Sequence, residues 1–114
     1  MEKFILIFRG GNTHISTAKS QAEMDMIQTW NVWMGGLATQ GILAGGDALQ
    51  VSGKHVIGSK KVVSDGVYAE GNEMVGGYLI VNAKDINDAV EISKGCPILI
   101  EDGSVEVRQI QKQN

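Results

Sequence analysis

The chain has 114 residues, 43% of them hydrophobic and 20% charged, an ordinary globular composition long enough for one core that buries roughly two thirds of the unfolded surface. A net charge of −3 with no basic cluster beyond Lys60-Lys61 lacks the electrostatic footprint of a phosphate-backbone binder, which argues against nucleic acid as a partner. The single cysteine, Cys96, rules out an intrachain disulfide and fits a reducing compartment. The opening run Phe4 to Phe8 is too short for a membrane span and has no cleavage site, so the sequence reads as cytoplasmic, with residues 1–110 as one domain and 111–114 as a short tail.

Lys3 to Arg9 predicts a first strand in which both alternating sets, Phe4, Leu6, Phe8 and Ile5, Ile7, are apolar, the pattern of a strand covered on both faces. Gly10 to Asn12 breaks it, and a polar connection leads to Ser20-Gln21-Ala22-Glu23, a capping box. The first helix then runs to about Gln40, with Met26, Trp30, Trp33 and Leu37 as its apolar stripe, Ile27 and Met34 beside it, and Gly41 as a left-handed stop. Ile42 to Leu49 predicts the second strand, in which Gly45-Gly46 marks a bulge or a close backbone approach.

Short strands at Lys54 to Ile57 and Lys60 to Ser64 flank a Gly58-Ser59 turn, and Asp65 to Glu73 reads as a polar loop. Met74 to Val81 is again apolar on both alternations. Asp85 caps a second helix with the packing stripe Ile86, Ala89, Val90 and Ser93. Lys94 complements its C-terminal dipole, and Gly95 with Pro97 ends it. Ser104 to Ile110 sets Val105 and Val107 against Glu106 and Arg108, a last strand with one wet or pocket-lining face.

Two βαβ-like halves with right-handed crossovers give an α+β fold of ferredoxin-like type, an antiparallel sheet with two helices on one face. The other face is then bare, yet its central strands are apolar on both sides. Because exposed apolar patches above a few hundred Å² are rare on soluble monomers, the expected remedy is a homodimer joined through the sheet faces, a barrel of eight or more strands from two chains.

Five segments taken together carry a family resemblance: Phe4 to Arg9, Gly41 to Leu49, Ser64 to Glu70, Gly76-Gly77-Tyr78 and Gly103 to Arg108. In order and spacing the chain resembles a YCII-related domain of the DGPF type over nearly its whole length. The resemblance implies a dimeric α/β barrel and says little about activity, since the wider superfamily includes lyases, isomerases and dehalogenating enzymes as well as proteins that accompany sigma factors. The family's Asp-Gly-Pro-Phe loop is here Asp65-Gly66-Val67-Tyr68, without the rigid proline. Enzymatic relatives place a dyad histidine on the first helix, where this chain has Trp30.

His14, in the loop after the first strand, and Asp65 are the candidates for moving a proton. Their plain alternatives are an idle surface histidine and a turn-capping aspartate. Arg9, Trp30, Trp33, Asp47, Tyr68 and Arg108 are the candidates for holding a substrate. Asp47 and Arg108 either line one pocket near the helix-one aromatics or form surface ion pairs, and the plain alternative for Trp30 and Trp33 is core or dimer packing. Cys96 reads as buried and inert. Two histidines at no metal-ligand spacing argue against zinc, and neither nucleotide fingerprint occurs, so no metal and no cofactor are expected. Two functional readings follow. One is a metal-independent, lyase- or isomerase-like enzyme acting on a small organic acid or lactone. The other is a non-catalytic dimer that binds a metabolite or a protein, accessory to transcription regulation.

Overall fold

The computed structural model describes residues 1–11, 20–66 and 73–112. In chain order these form β1 (Glu2–Arg9), α1 (Gln21–Thr39), β2 (Leu43–Ala48), β3 (Lys54–Ile57), β4 (Val62–Asp65), β5 (Val75–Ala83), α2 (Ile86–Ser93), a 3₁₀ turn at Pro97–Glu101 and β6 (Ser104–Gln109). The first, second, fifth and sixth strands make one antiparallel sheet in the order β2-β5-β1-β6, while β3 and β4 form a separate two-stranded sheet. With the hairpin set aside, this is the α+β ferredoxin-like arrangement, and the two strands apolar on both alternations occupy its centre.

Register decides which side chains meet. Phe4 stands opposite Val81 and Leu6 opposite Leu79, and Val105 and Val107 stand opposite Phe8 and Leu6. This inner face is the core, with Phe4, Leu6, Val81 and Ala83 fully buried, and Trp33 and Met34 of α1 and Ala89 and Ile92 of α2 packed on it. On the outer face Ile5 and Ile7 meet Ile80 and Tyr78, flanked by Arg108 and Glu106. Both helices and the 3₁₀ turn lie on the inner side, so these four apolar or aromatic residues are only half-buried.

The helix ends follow their capping residues. The Glu23 amide donates to Ser20 Oγ at 3.1 Å and the Ser20 amide to Glu23 Oε1 at 3.5 Å, closing the capping box. At α2 the Asp88 amide donates to Asp85 Oδ1 at 2.8 Å, and Gly41 has the left-handed φ of 75° expected after α1.

Three local expectations change. The hairpin turn is the four residues Gly58 to Lys61, because the Lys61 amide donates back to the Gly58 carbonyl with Lys61 itself left-handed, so β4 begins at Val62. Asp65 closes β4 instead of opening a loop. Pro97, read only as a helix stop, also starts the 3₁₀ turn, where its missing amide hydrogen leaves no donor unsatisfied.

Candidate functional site

A cleft of about 420 Å³ opens on the inner face between α1, the β2-β5 edge and the 3₁₀ turn. Its existence follows from what the sheet lacks there. Gly46, Ala48 and Gly77 are the inward positions of β2 and β5 in this stretch and supply a floor almost without side chains. The glycines are also forced by close backbone approach. A Cβ on Gly46 would stand 2.5 Å from the Tyr78 carbonyl oxygen, and one on Gly77 3.0 Å from that of Asp47.

The roof is α1. Of its apolar stripe only Leu37 is buried, so the helix is pinned at its C-terminal end while Ile27, Trp30, Asn31 and Met34 overhang the floor. Phe8 closes the back. Its ring meets Trp30 edge-on at 5.3 Å and Trp33 at 6.4 Å, and the two indoles meet at 5.9 Å, geometries that suit ring quadrupoles. At the far wall Ile98, 3% exposed, anchors the 3₁₀ turn and presents Glu101 to the cleft.

The two tryptophans separate in role. Trp30 lines the cleft, whereas Trp33 packs on the end of α2, where a Cβ on Gly95 would fall 2.8 Å from its indole nitrogen. Asp47 and Tyr78 border the cleft through the main chain, since the register turns their side chains to the outer face, where Tyr78 Oη donates to Asp47 Oδ2 at 3.3 Å.

The remaining candidates are dispersed. Arg9 donates to the Glu73 carbonyl at 3.0 Å and to Glu106 Oε1 at 3.1 Å, an ion pair within the sheet. Arg108 stands opposite Ile5 on the outer face of β6, the edge strand farthest from β2. The expected pocket of Asp47, Arg108 and the helix-one aromatics therefore does not form within the chain, because strand alternation sends Arg108 through the sheet and strand order sends it to the other edge. Asp65 is on the hairpin, exposed and ion-paired with Lys54. His14 and Tyr68 lie outside the described residues. Among the described residues no group of three or more potential ligands could hold a metal ion, and no helix is long and apolar enough to cross a membrane.

Sequence reasoning missed Ile98, Glu101, Asn31 and Ala48 as lining residues. Their signal was indirect: a glycine pair on each of the two adjacent strands β2 and β5, with Gly46 opposite Leu79 and Gly77 opposite Ala48, and a proline that starts a turn. Cys96 is 2% exposed. Burial pushes its thiol up to about 12, partly offset by a backbone hydrogen bond with Ile98, and a thiol so held is a poor nucleophile.

Among the described residues lining the cleft none is basic. Its surface is mainly aromatic and aliphatic with a few polar groups at the rim, the composition of a small-molecule site. Among solved structures the chain is similar to a 5-chloro-2-hydroxyhydroquinone dehydrochlorinase from Burkholderia phenoliruptrix, in complex with 2,5-dihydroxybenzoquinone. The identity is 13%, the TM-score 0.52, and the alignment covers 96% of this chain and 95% of that one, a likeness of fold. No curated protein matches the sequence. The model of the YCII-related domain matches residues 37–114, which takes in β2 through β6 and most of the cleft floor; the chain belongs to the YCII-related family.

Proposed function

We propose that this protein binds a small, flat, uncharged ring compound in the cleft beneath α1, as a homodimer joined through the outer faces of its sheets. The observation that carries this reading is the cleft itself, a floor almost without side chains under the overhanging Trp30 and Met34, closed at the back by Phe8. A floor of Gly46 and Gly77 accepts a flat molecule, and Trp30 gives it an aromatic wall. The bound 2,5-dihydroxybenzoquinone of the similar structure is a flat ring and supports the shape of the ligand, while its neutrality is argued from the lining alone. The half-buried Ile5, Ile7, Tyr78 and Ile80 on the outer face support the dimer.

The lack of a basic residue among the described lining turns the substrate class away from a small organic acid. Arg9, expected to hold such a charge, is engaged with Glu106, and Arg108 is on the far face. A neutral lactone, phenol or quinone remains. A second reading, lyase-like catalysis without a metal, is favoured by one observation, the acidic residue Glu101 in the cleft lining, a residue type that takes a proton from a ring hydroxyl. With either reading go a single domain over residues 1–110, a cytoplasmic location and no cofactor.

Titration of the intrinsic tryptophan fluorescence with hydroquinone, and with benzoate as its charged counterpart, tests the proposal. Saturable quenching by hydroquinone is expected, at least tenfold weaker for benzoate, and abolished by Trp30→Ala or by filling the floor with Ala48→Ile. Equal responses in those variants, or preference for benzoate, would overturn it. Chloride release from a chlorinated hydroxyhydroquinone, lost in Glu101→Gln with hydroquinone binding retained, would select the catalytic reading.

A further inference from the structure

The β3–β4 hairpin is unexplained by the cleft. Among the described residues its strands pair only with each other, and a lone two-stranded hairpin is marginal in water. Yet Val56 and Val63, paired on one face, are 61% and 59% exposed, and Ile57 and Val62, paired on the other, 47% and 57%, so neither face is covered, and uncovered apolar side chains of this kind mark interaction sites. Its turn carries Lys60 and Lys61, the only adjacent pair of lysines or arginines in the chain. The molecule is correspondingly flat, 47 × 44 × 19 Å, with a radius of gyration of 15.6 Å against about 13 Å for a compact chain of this length.

A surface of matching kind lies on the same chain. The 3₁₀ turn exposes Leu99 and Ile100, at 41% and 68%, beside the carboxylates of Glu101 and Asp102. Branched apolar residues next to two lysines on the hairpin are thus matched in kind, with opposite charge, by branched apolar residues next to two acids on the turn. We propose that in the homodimer the β3–β4 hairpin lies on the Leu99–Asp102 turn of a second copy, and reciprocally, as two-fold symmetry requires. Because Ile98 and Glu101 of that turn also wall the cleft, each hairpin completes the rim of its partner's site. This inference rests on the dimer of the preceding section, not on the identity of the ring ligand.

A charge swap tests it. One variant carries Lys60→Glu and Lys61→Asn, the other Glu101→Lys and Asp102→Asn; asparagine suits the left-handed backbone at 61 and 102. Light scattering across a concentration series is expected to show each variant dissociating at least tenfold more readily than the wild type. An equimolar mixture, in which both hairpin contacts are complementary, is expected to regain dimer as a heterodimer. Variants that stay as dimeric as the wild type, or a mixture that stays monomeric, would overturn the proposal. So would a monomeric wild type, including one that sediments with phosphatidylserine vesicles through the lysine-tipped hairpin. Val56→Thr with Val63→Thr, which keeps β propensity, provides a second arm should the swaps fail to fold, with at least tenfold weaker dimerisation expected and unchanged dimerisation overturning the idea. Loss of hydroquinone binding with an intact swap result would sink the ring reading alone.

Discussion

The main sheet and the β3–β4 hairpin are built from the same kinds of residue and differ in what they lie against. In the sheet, Leu6 and Val81 alternate onto a face roofed by two helices and are fully buried. In the hairpin, Val56 and Val63 face each other across the strands and neither is covered. Strand propensity is therefore common to both regions, while burial, which supplies most of the stabilisation, belongs to one. The sharpest way to break this comparison is to truncate both. Leu6→Ala is expected to cost about 2–5 kcal/mol of unfolding free energy, whereas Val63→Thr, measured in denaturant at concentrations where the chain is unassociated, should cost about 0.5 kcal/mol or less. Comparable losses would mean the hairpin is part of the fold's own core.

Alkaline pH probes the sheet side of the comparison. Burial raises the Cys96 thiol to about 12 from an ordinary 9.0, so the folded chain keeps its proton where the unfolded chain loses it. Stability is then fully present below pH 9 and falls as pH rises toward 12, by a few kcal/mol at most. Cys96→Ala should flatten that part of the curve, and thiol labelling of the wild type at pH 8 should proceed only as fast as unfolding. Next in size is the cleft floor. Gly46 has a φ of 148° and no room for a Cβ, while Gly45 has nothing within 4 Å. Gly46→Ala is expected to cost about 1–3 kcal/mol, by analogy with overpacking, and Gly45→Ala under about 1 kcal/mol, both read from denaturation midpoints.

Sequence made the framework legible where local rules and burial agree. Ser20 with Glu23, Gly41, Asp85 and the doubly apolar β1 and β5 each signal one structure, and each forms it. It was less informative where meaning depends on strand order. Asp47 and Arg108 both looked free to face one pocket, but order puts them on opposite edges of the sheet, and only the observed pairing reveals that. The cleft was harder still, because it is made by missing side chains at Gly46 and Gly77, from strands far apart in sequence, and by a 3₁₀ turn whose only sequence mark is Pro97. The family resemblance needed none of this geometry and was readable from segment order.

The smallest expected effect concerns Asp65, which sequence alone made a candidate proton acceptor. On the structure it sits at the end of β4, on the hairpin, paired with Lys54, with side chains 89% and 67% exposed. Water screens such a pair, and holding two mobile side chains together costs entropy, so its contribution is about 0.5 kcal/mol or less and shrinks with added salt. Asp65→Asn should therefore leave the denaturation midpoint almost unchanged. The same substitution should leave hydroquinone affinity unchanged, because Asp65 is not among the described residues lining the cleft. A tenfold loss of affinity in Asp65→Asn, at unchanged stability, would instead bring the hairpin's acid to the site, and in a dimer whose hairpins reach the neighbouring cleft that acid would come from the second copy.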